Sequence, residues 1–192
     1  MKFHNMKPSL RLLLPAVSAM LLMPALSSCL KDKDDGLDTW KSDNDKYFVA
    51  QMDTTDAAGQ LYYERYTPVW QPGITLLIRW HKRPADYATR MKPMDNSLVN
   101  IKYEGRLYNG TVFDNSYSST TYGDSIYRCR PSALVPGFWA ALTQMVPGDS
   151  VTVVIPSQAG YGASGHGSSI KPYSALTFDI KLKDIVAWDS PQ

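Results

Sequence analysis

The chain has 192 residues, with 20 Lys plus Arg against 18 Asp plus Glu and a formal net charge of +2. That length allows one or two domains; so small a charge gives no reason to expect a nucleic-acid partner, and no basic patch interleaved with aromatics suggests one. Two cysteines and three histidines in no metal-ligand spacing leave no metal centre to expect, and no cofactor is expected.

The first element is a leader. Lys2, Lys7 and Arg11 precede a mostly apolar stretch, residues 12–26, interrupted by Pro15, Ser18 and Pro24. This is the pattern of a secretory signal peptide, and it is shorter than the roughly 20 apolar residues of a membrane-spanning helix. Leu26-Ser27-Ser28-Cys29 resembles the bacterial lipoprotein processing box, which implies lipidation of Cys29 and removal of residues 1–28. The alternatives are an ordinary cleaved signal with an incidental cysteine, or a retained anchor. Processing would take away three basic residues and no acidic one, leaving 17 Lys plus Arg against 18 Asp plus Glu. With Cys29 acylated, Cys129 would be the one thiol left, excluding an intramolecular disulfide. Its place in the alternating run 126–130 suits a buried small hydrophobe.

Residues 29–45, rich in Asp and Lys, read as a solvated tether. The run Lys31-Asp32-Lys33-Asp34-Asp35 resembles the acidic signals by which some Bacteroidetes lipoproteins reach the cell surface; a plain spacer is the alternative. Residues 46–73 form an aromatic-rich extension whose structure the pattern leaves open. A short helix over 46–52, capped at Asn44 or Asp45, fits, and 61–66 suits either helix or strand. Trp40, Tyr47, Phe48, Tyr62, Tyr63, Tyr66 and Trp70 are too many aromatics for a disordered linker, so some are expected to rest on the domain that follows.

That domain is expected over 74–187, with a short tail at 188–192. Residues 74–80 suit a strand. In 98–104, Val99, Ile101 and Tyr103 alternate with Asn100, Lys102 and Glu104. Asn109-Gly110 predicts a type I′ hairpin turn, with 111–113 returning along the sheet. A short helix is expected at 138–143, then strands at 150–155 and 175–182, the last with Leu176, Phe178, Ile180 and Leu182 on one face. The fold class is α+β: a curved antiparallel sheet wrapped around one short α-helix.

Tyr103, Phe113, Phe138, Tyr161 and Phe178 lie on separate elements, with Leu134, Val135 and Ile170 beside turns and Asp114 next to Phe113. A concave apolar pocket with one or two hydrogen-bonding groups suits a small apolar ligand; as single residues, any of these also suits a plain core. No nucleophile with its base, carboxylate pair or phosphate loop is present. The glycines at 160, 162, 165 and 167 precede no helix and read as a shaped loop.

Several ordered segments resemble the FK506-binding-protein type of peptidyl-prolyl isomerase: residues 99–116, with Tyr103, Phe113 and Asp114; Leu134-Val135-Pro136-Gly137-Phe138; residues 144–148; Ile155-Pro156; residues 159–166; Ile170-Lys171-Pro172; and residues 176–180. The resemblance spans about 74–186. It implies a half-wrapped sheet around a short helix, and isomerisation of X-Pro bonds without covalent chemistry. It further implies that Tyr103, Phe113, Asp114, Tyr161 and Phe178 carry catalysis, while Leu134, Val135, Phe138, His166 and Ile170 bind substrate. Phe138 stands where many members have Trp as the pocket floor, and Lys171 where Pro is usual. Residues 115–133 depart most from the pattern, so the aromatic or aliphatic group expected there is either Ile126 or Tyr127. These departures keep open a binding module or chaperone with little turnover. The implied partners are proline-containing unfolded or partly folded exported polypeptides and, through the lipid, an outer membrane at its periplasmic or surface face. No oligomeric state follows.

Overall fold

The alternation that begins at residue 98 builds a long strand that pairs with three others. The computed structural model describes residues 36–187; the expected signal peptide, Cys29, the start of the tether and the tail at 188–192 lie outside the described residues. In chain order the elements are α1 (Leu37–Met52), β1 (Glu64–Tyr66), β2 (Leu76–Lys82), β3 (Leu98–Leu107), β4 (Val112–Asn115), β5 (Tyr127–Cys129), α2 (Pro136–Leu142), β6 (Ser150–Ile155) and β7 (Leu176–Ala187), with short 3-10 turns at Tyr87–Thr89, Pro131–Ala133 and Ser157–Ala159. All strand pairs are antiparallel, in the order β1-β2-β6-β7-β3-β4, and β5 pairs with the other half of the β3 edge that holds β4.

Because side chains alternate across a strand, the sheet has two distinct faces. The inner face carries Leu76 and Ile78 of β2, Val151, Val153 and Ile155 of β6, Val99, Ile101 and Tyr103 of β3, and Leu176, Phe178, Ile180 and Leu182 of β7, packed on Phe138, Ala141 and Leu142 of α2. This is the expected curved sheet over a short helix. Pro136 opens α2 in its first turn, where a missing N–H costs no helix bond.

The outer face is where the structure departs from expectation. Residues 37–45, read as tether, are the first half of a 16-residue helix, and 46–52 are its continuation rather than a separate short helix. The helix α1 lies on the outer face, where Leu77, Val154 and Tyr63 are buried beneath Tyr47, Phe48, Met52 and Tyr62. Covering a leucine such as Leu77, which is fully buried, is worth roughly 1.5–3 kcal/mol. Among the described residues one helix thus lies on each face, and the aromatic extension is part of the same unit as the sheet. Trp70 extends the contact elsewhere, stacking on Trp139 of α2 with ring centroids 4.6 Å apart.

Three smaller differences have local causes. At Asn109-Gly110 only Gly110 takes positive φ, at 83°. Leu107 O accepts from Gly110 N–H, and Leu107 N–H donates to Thr111 O, both at 2.9 Å. This is a three-residue loop closing on a left-handed glycine, not the expected two-residue type I′ turn. Strand β2 starts two residues late, because Ile74 N–H is engaged by Gln71 O in the preceding turn. Strand β7 runs on to Ala187, since β3 supplies partners as far as Leu98.

Candidate functional site

A cavity of about 320 Å³ opens on the inner face between α2, the β3–β4 hairpin, β5 and the loop after β6. It is lined by Tyr103, Phe113, Asp114, Leu134, Val135, Phe138, Tyr161, His166 and Phe178, and also by Ile101, Tyr127 and Ala133. Nine of the ten expected site residues therefore come together. The exception is Ile170, which is buried in the core. Its backbone closes the loop instead, exchanging hydrogen bonds with His166 at 2.7 and 3.1 Å.

Strand register explains the wall. Between Arg106↔Val112 and Gly105↔Asp114 the β3–β4 pairing slips, so Phe113 is the extra residue of a bulge. Its ring lies over Gly105, where an added Cβ would sit 2.6 Å from Phe113 Cζ and 2.7 Å from Phe178 Cε1. The rings meet edge to face, the favoured arrangement: Phe113 with Phe178 at 5.5 Å, Phe138 with Phe178 at 4.8 Å and Tyr103 with Phe138 at 5.8 Å. Phe138, 3% exposed, forms the floor. Tyr127 completes this set edge-on to Tyr103 at 5.5 Å, and of the pair Ile126 and Tyr127 it is Tyr127 that lines the cavity. The register Val99↔Cys129 and Ile101↔Tyr127 puts Tyr127 on the face of buried Cys129. Two-residue periodicity from Cys129 was the signal available in the sequence.

Polar groups are few. Tyr103 donates its O–H to Asp114 Oδ2 at 2.7 Å. Burial, reinforced by the bond to Asp114, pushes the Tyr103 hydroxyl far above the usual tyrosine range. Tyr161 is also raised, first by burial and then by the Asp114 carboxylate and Tyr127. Both phenols thus keep their protons. Among the described residues the Tyr161 hydroxyl has no hydrogen-bond partner, so its O–H is available to a carbonyl in the cavity. The Tyr161 ring stacks on His166 at 4.6 Å.

The loop carrying Tyr161 and His166 is tied to itself. Gly162 N–H donates to Ser157 O at 2.9 Å, and Tyr173 N–H to Gly162 O at 2.7 Å. Gly165 has φ +64° and faces the Ile170 carbonyl so closely that any Cβ would collide with it. Among the described residues no group of three or more His, Cys, Asp or Glu side chains is placed to hold a metal ion. A wider cleft of about 500 Å³ runs beside α1, lined by Phe48, Met52, Ile74 and Pro156 among others. Its one buried side-chain amide, Asn44, is already engaged by Ala175 N–H and Trp40 O. The smaller cavity, with an unengaged donor inside an aromatic cup, is the better candidate for binding chemistry.

Comparison with known proteins points to the same region. Residues 89–183 match the family described as FKBP-type peptidyl-prolyl cis-trans isomerase. The FKBP-type 22 kDa peptidyl-prolyl cis-trans isomerase of Escherichia coli K12 is 36% identical over 94 residues, 49% of this chain and 44% of that protein. The peptidyl-prolyl cis-trans isomerase Mip of Coxiella burnetii is 38% identical over 95 residues, 47% of this chain and 37% of that one. This chain thus spans less than half the length of either relative. A crystal structure of a peptidyl-prolyl cis-trans isomerase from Pseudomonas syringae superposes with a TM-score of 0.55 at 26% identity, covering 78% of this chain and 95% of the other. Residues 89–183 thus belong to the FKBP-type peptidyl-prolyl cis-trans isomerase family.

Proposed function

We propose that the chain is a peptidyl-prolyl cis-trans isomerase that acts on X-Pro bonds of exported polypeptides, from a cell envelope to which Cys29 anchors it by lipid. The observation that carries the reading is the 320 Å³ aromatic cavity with a free Tyr161 donor and the Tyr103–Asp114 pair at its wall.

Rotation about an X-Pro bond passes through a twisted amide that has lost resonance. No covalent bond is made or broken, so the reaction needs no nucleophile or proton shuttle. The planar amide carries more charge on its oxygen than the twisted one. A cup of Phe113, Phe138, Phe178 and Tyr103 that replaces water around the prolyl ring therefore disfavours the planar ground state relative to the twisted state. The Tyr161 O–H holds a substrate carbonyl, and Asp114 fixes Tyr103 in the wall. Each tenfold in rate needs only about 1.4 kcal/mol of preferential transition-state binding.

The envelope location rests on the basic start, the apolar run 12–26 and the Leu26-Ser27-Ser28-Cys29 box. One acyl chain binds a bilayer marginally, whereas two or three, at about 0.8 kcal/mol per buried CH₂, hold a protein there.

The test is a protease-free isomerisation assay on an X-Pro peptide. The expected result is turnover by the wild type, with kcat/KM lowered about tenfold or more in Tyr161→Phe and in Asp114→Leu. A double variant as fast as the wild type would remove the assignment of the site, and a wild type that binds unfolded polypeptide without turnover would leave a chaperone module.

A further inference from the structure

The inner side of α1 reaches both segments that carry the cavity walls, although α1 covers the outer face of the sheet and lies outside residues 89–183. Trp40 is the meeting point. Its indole N–H donates to Ser174 Oγ at 3.2 Å, and the Lys171 ammonium sits 4.9 Å from its ring centroid. Tyr108, at the tip of the hairpin that bears Phe113 and Asp114, meets the same indole edge-on at 5.0 Å. One turn on, Asn44 is 1% exposed. Its side-chain oxygen accepts from Ala175 N–H at 2.8 Å, and its amide donates to Trp40 O at 2.8 Å. Asp43 accepts from Tyr108 O–H at 3.5 Å, and Tyr47 shares a 2.9 Å hydrogen bond with Thr177.

The contacts at 171–177 close the base of the Tyr161 loop. Ser174 Oγ, held by Trp40, also donates to Lys171 O at 2.7 Å. Tyr173 is one of two non-glycine residues with positive φ among those described, at 63°. Such backbone costs of order 1 kcal/mol or more and persists only where its surroundings hold it. In this conformation Tyr173 N–H reaches Gly162 O, next to Tyr161.

We infer that Asn44 and Trp40 are positioning residues for the isomerase site: α1 clamps the hairpin carrying Phe113 and Asp114 to the base of the loop carrying Tyr161, and so fixes the distance across the cavity. The inference rests on the isomerase reading above. Full burial, with the side-chain oxygen and nitrogen each hydrogen-bonded to backbone, makes Asn44 a specific fastening. A helix that merely covered apolar surface would have an aliphatic residue there.

The test uses the full chain with detergent present, as wild type, Asn44→Ala, Trp40→Phe and Val49→Ala, the last an exposed site on the same helix. The assay reports kcat and KM separately, per folded molecule. Amide exchange at Tyr173 is followed alongside. A misplaced catalytic group lowers rate steeply, by as much as about a hundredfold per ångström. The expected result is a kcat lowered about tenfold in Asn44→Ala and less in Trp40→Phe, with KM nearly unchanged, faster exchange at Tyr173 and Val49→Ala like the wild type. Should Asn44→Ala fail to fold, Trp40→Phe, which keeps the ring against Tyr108 and removes the N–H, decides the matter. Variants that lose thermal stability but turn over as the wild type does overturn the inference and leave the isomerase reading intact, as does a lowered kcat with Tyr173 exchange unaltered. A wild type without turnover fails the isomerase reading itself, and the inference with it.

Discussion

Tyr103 and Tyr161 differ in what their hydroxyls are committed to. The first donates to Asp114 and belongs to the wall; the second has no partner among the described residues and is free for substrate. Substitution by phenylalanine separates the two roles. Tyr103→Phe is expected to cost about 1 kcal/mol of stability through the lost hydrogen bond, whereas Tyr161→Phe is expected to leave the melting temperature alone and lower kcat/KM about tenfold. Thermal unfolding and the isomerisation assay, run on both variants, check the contrast. Cys129 gives a second prediction. Burial pushes its thiol up to about 12 from an ordinary 9.0, so the folded state holds this proton more tightly than the unfolded chain does. The thiol's contribution to stability is thus complete below pH 9.0 and is lost as pH rises from there towards about 12. In a Cys29→Ser background, Cys129→Ala is expected to flatten the alkaline fall of unfolding free energy. An unchanged slope would assign that fall to other groups.

Among the elements, the β3–β4 bulge is the most exacting. Phe113 reaches the cavity because Gly105 has no Cβ, and both Phe113 and Phe178 occupy the space that one would fill. Gly105→Ala is therefore expected to push the two rings apart, costing about 1–3 kcal/mol by overpacking and weakening binding of X-Pro peptides. Calorimetry and peptide titration read the two effects, and wild-type affinity in this variant would contradict the role given to the bulge. Elements with a clean period were legible in the sequence: β3, β6, β7 and the short helix all follow alternating or compact apolar patterns. The helix α1 was not, because its buried face places Asp43 and Asn44 between Trp40 and Tyr47 and breaks the apolar stripe that marks an amphipathic helix. Those polar residues face inward to bond Tyr108 and Ala175, a need set by tertiary partners about 65 and 131 positions away. Ile170 lies outside the cavity lining for a related reason, since whether a residue flanking a turn reaches a cavity depends on a loop closure that local sequence does not encode.

At the scale of the whole molecule, the sheet is covered on both faces. The inner helix builds the cavity, and the outer one binds the segments around it. The site residues were legible because the motifs between 99 and 180 resemble a known family; the part played by residues 36–82 rests on contacts that family motifs do not contain. The structure also shortens the proposed tether. Only residues 30–36 separate Cys29 from α1, a span of at most about 30 Å when fully extended. A lipid on Cys29 would keep the domain close to its membrane. Cys29→Ser is accordingly expected to release the protein from the membrane fraction, and a variant that still sediments with membranes would contradict the lipid anchor. The central claim is that the aromatic cavity turns X-Pro bonds, and the most direct measurement is the refolding of a protein whose slow phase is proline-limited, a phase of about 10–100 s uncatalysed at 25 °C. The expected result is that catalytic amounts of the full chain shorten this phase and that FK506 or the Tyr161→Phe/Asp114→Leu pair abolishes the effect. A slow phase unchanged by the wild type, or shortened equally by the double variant, would contradict it.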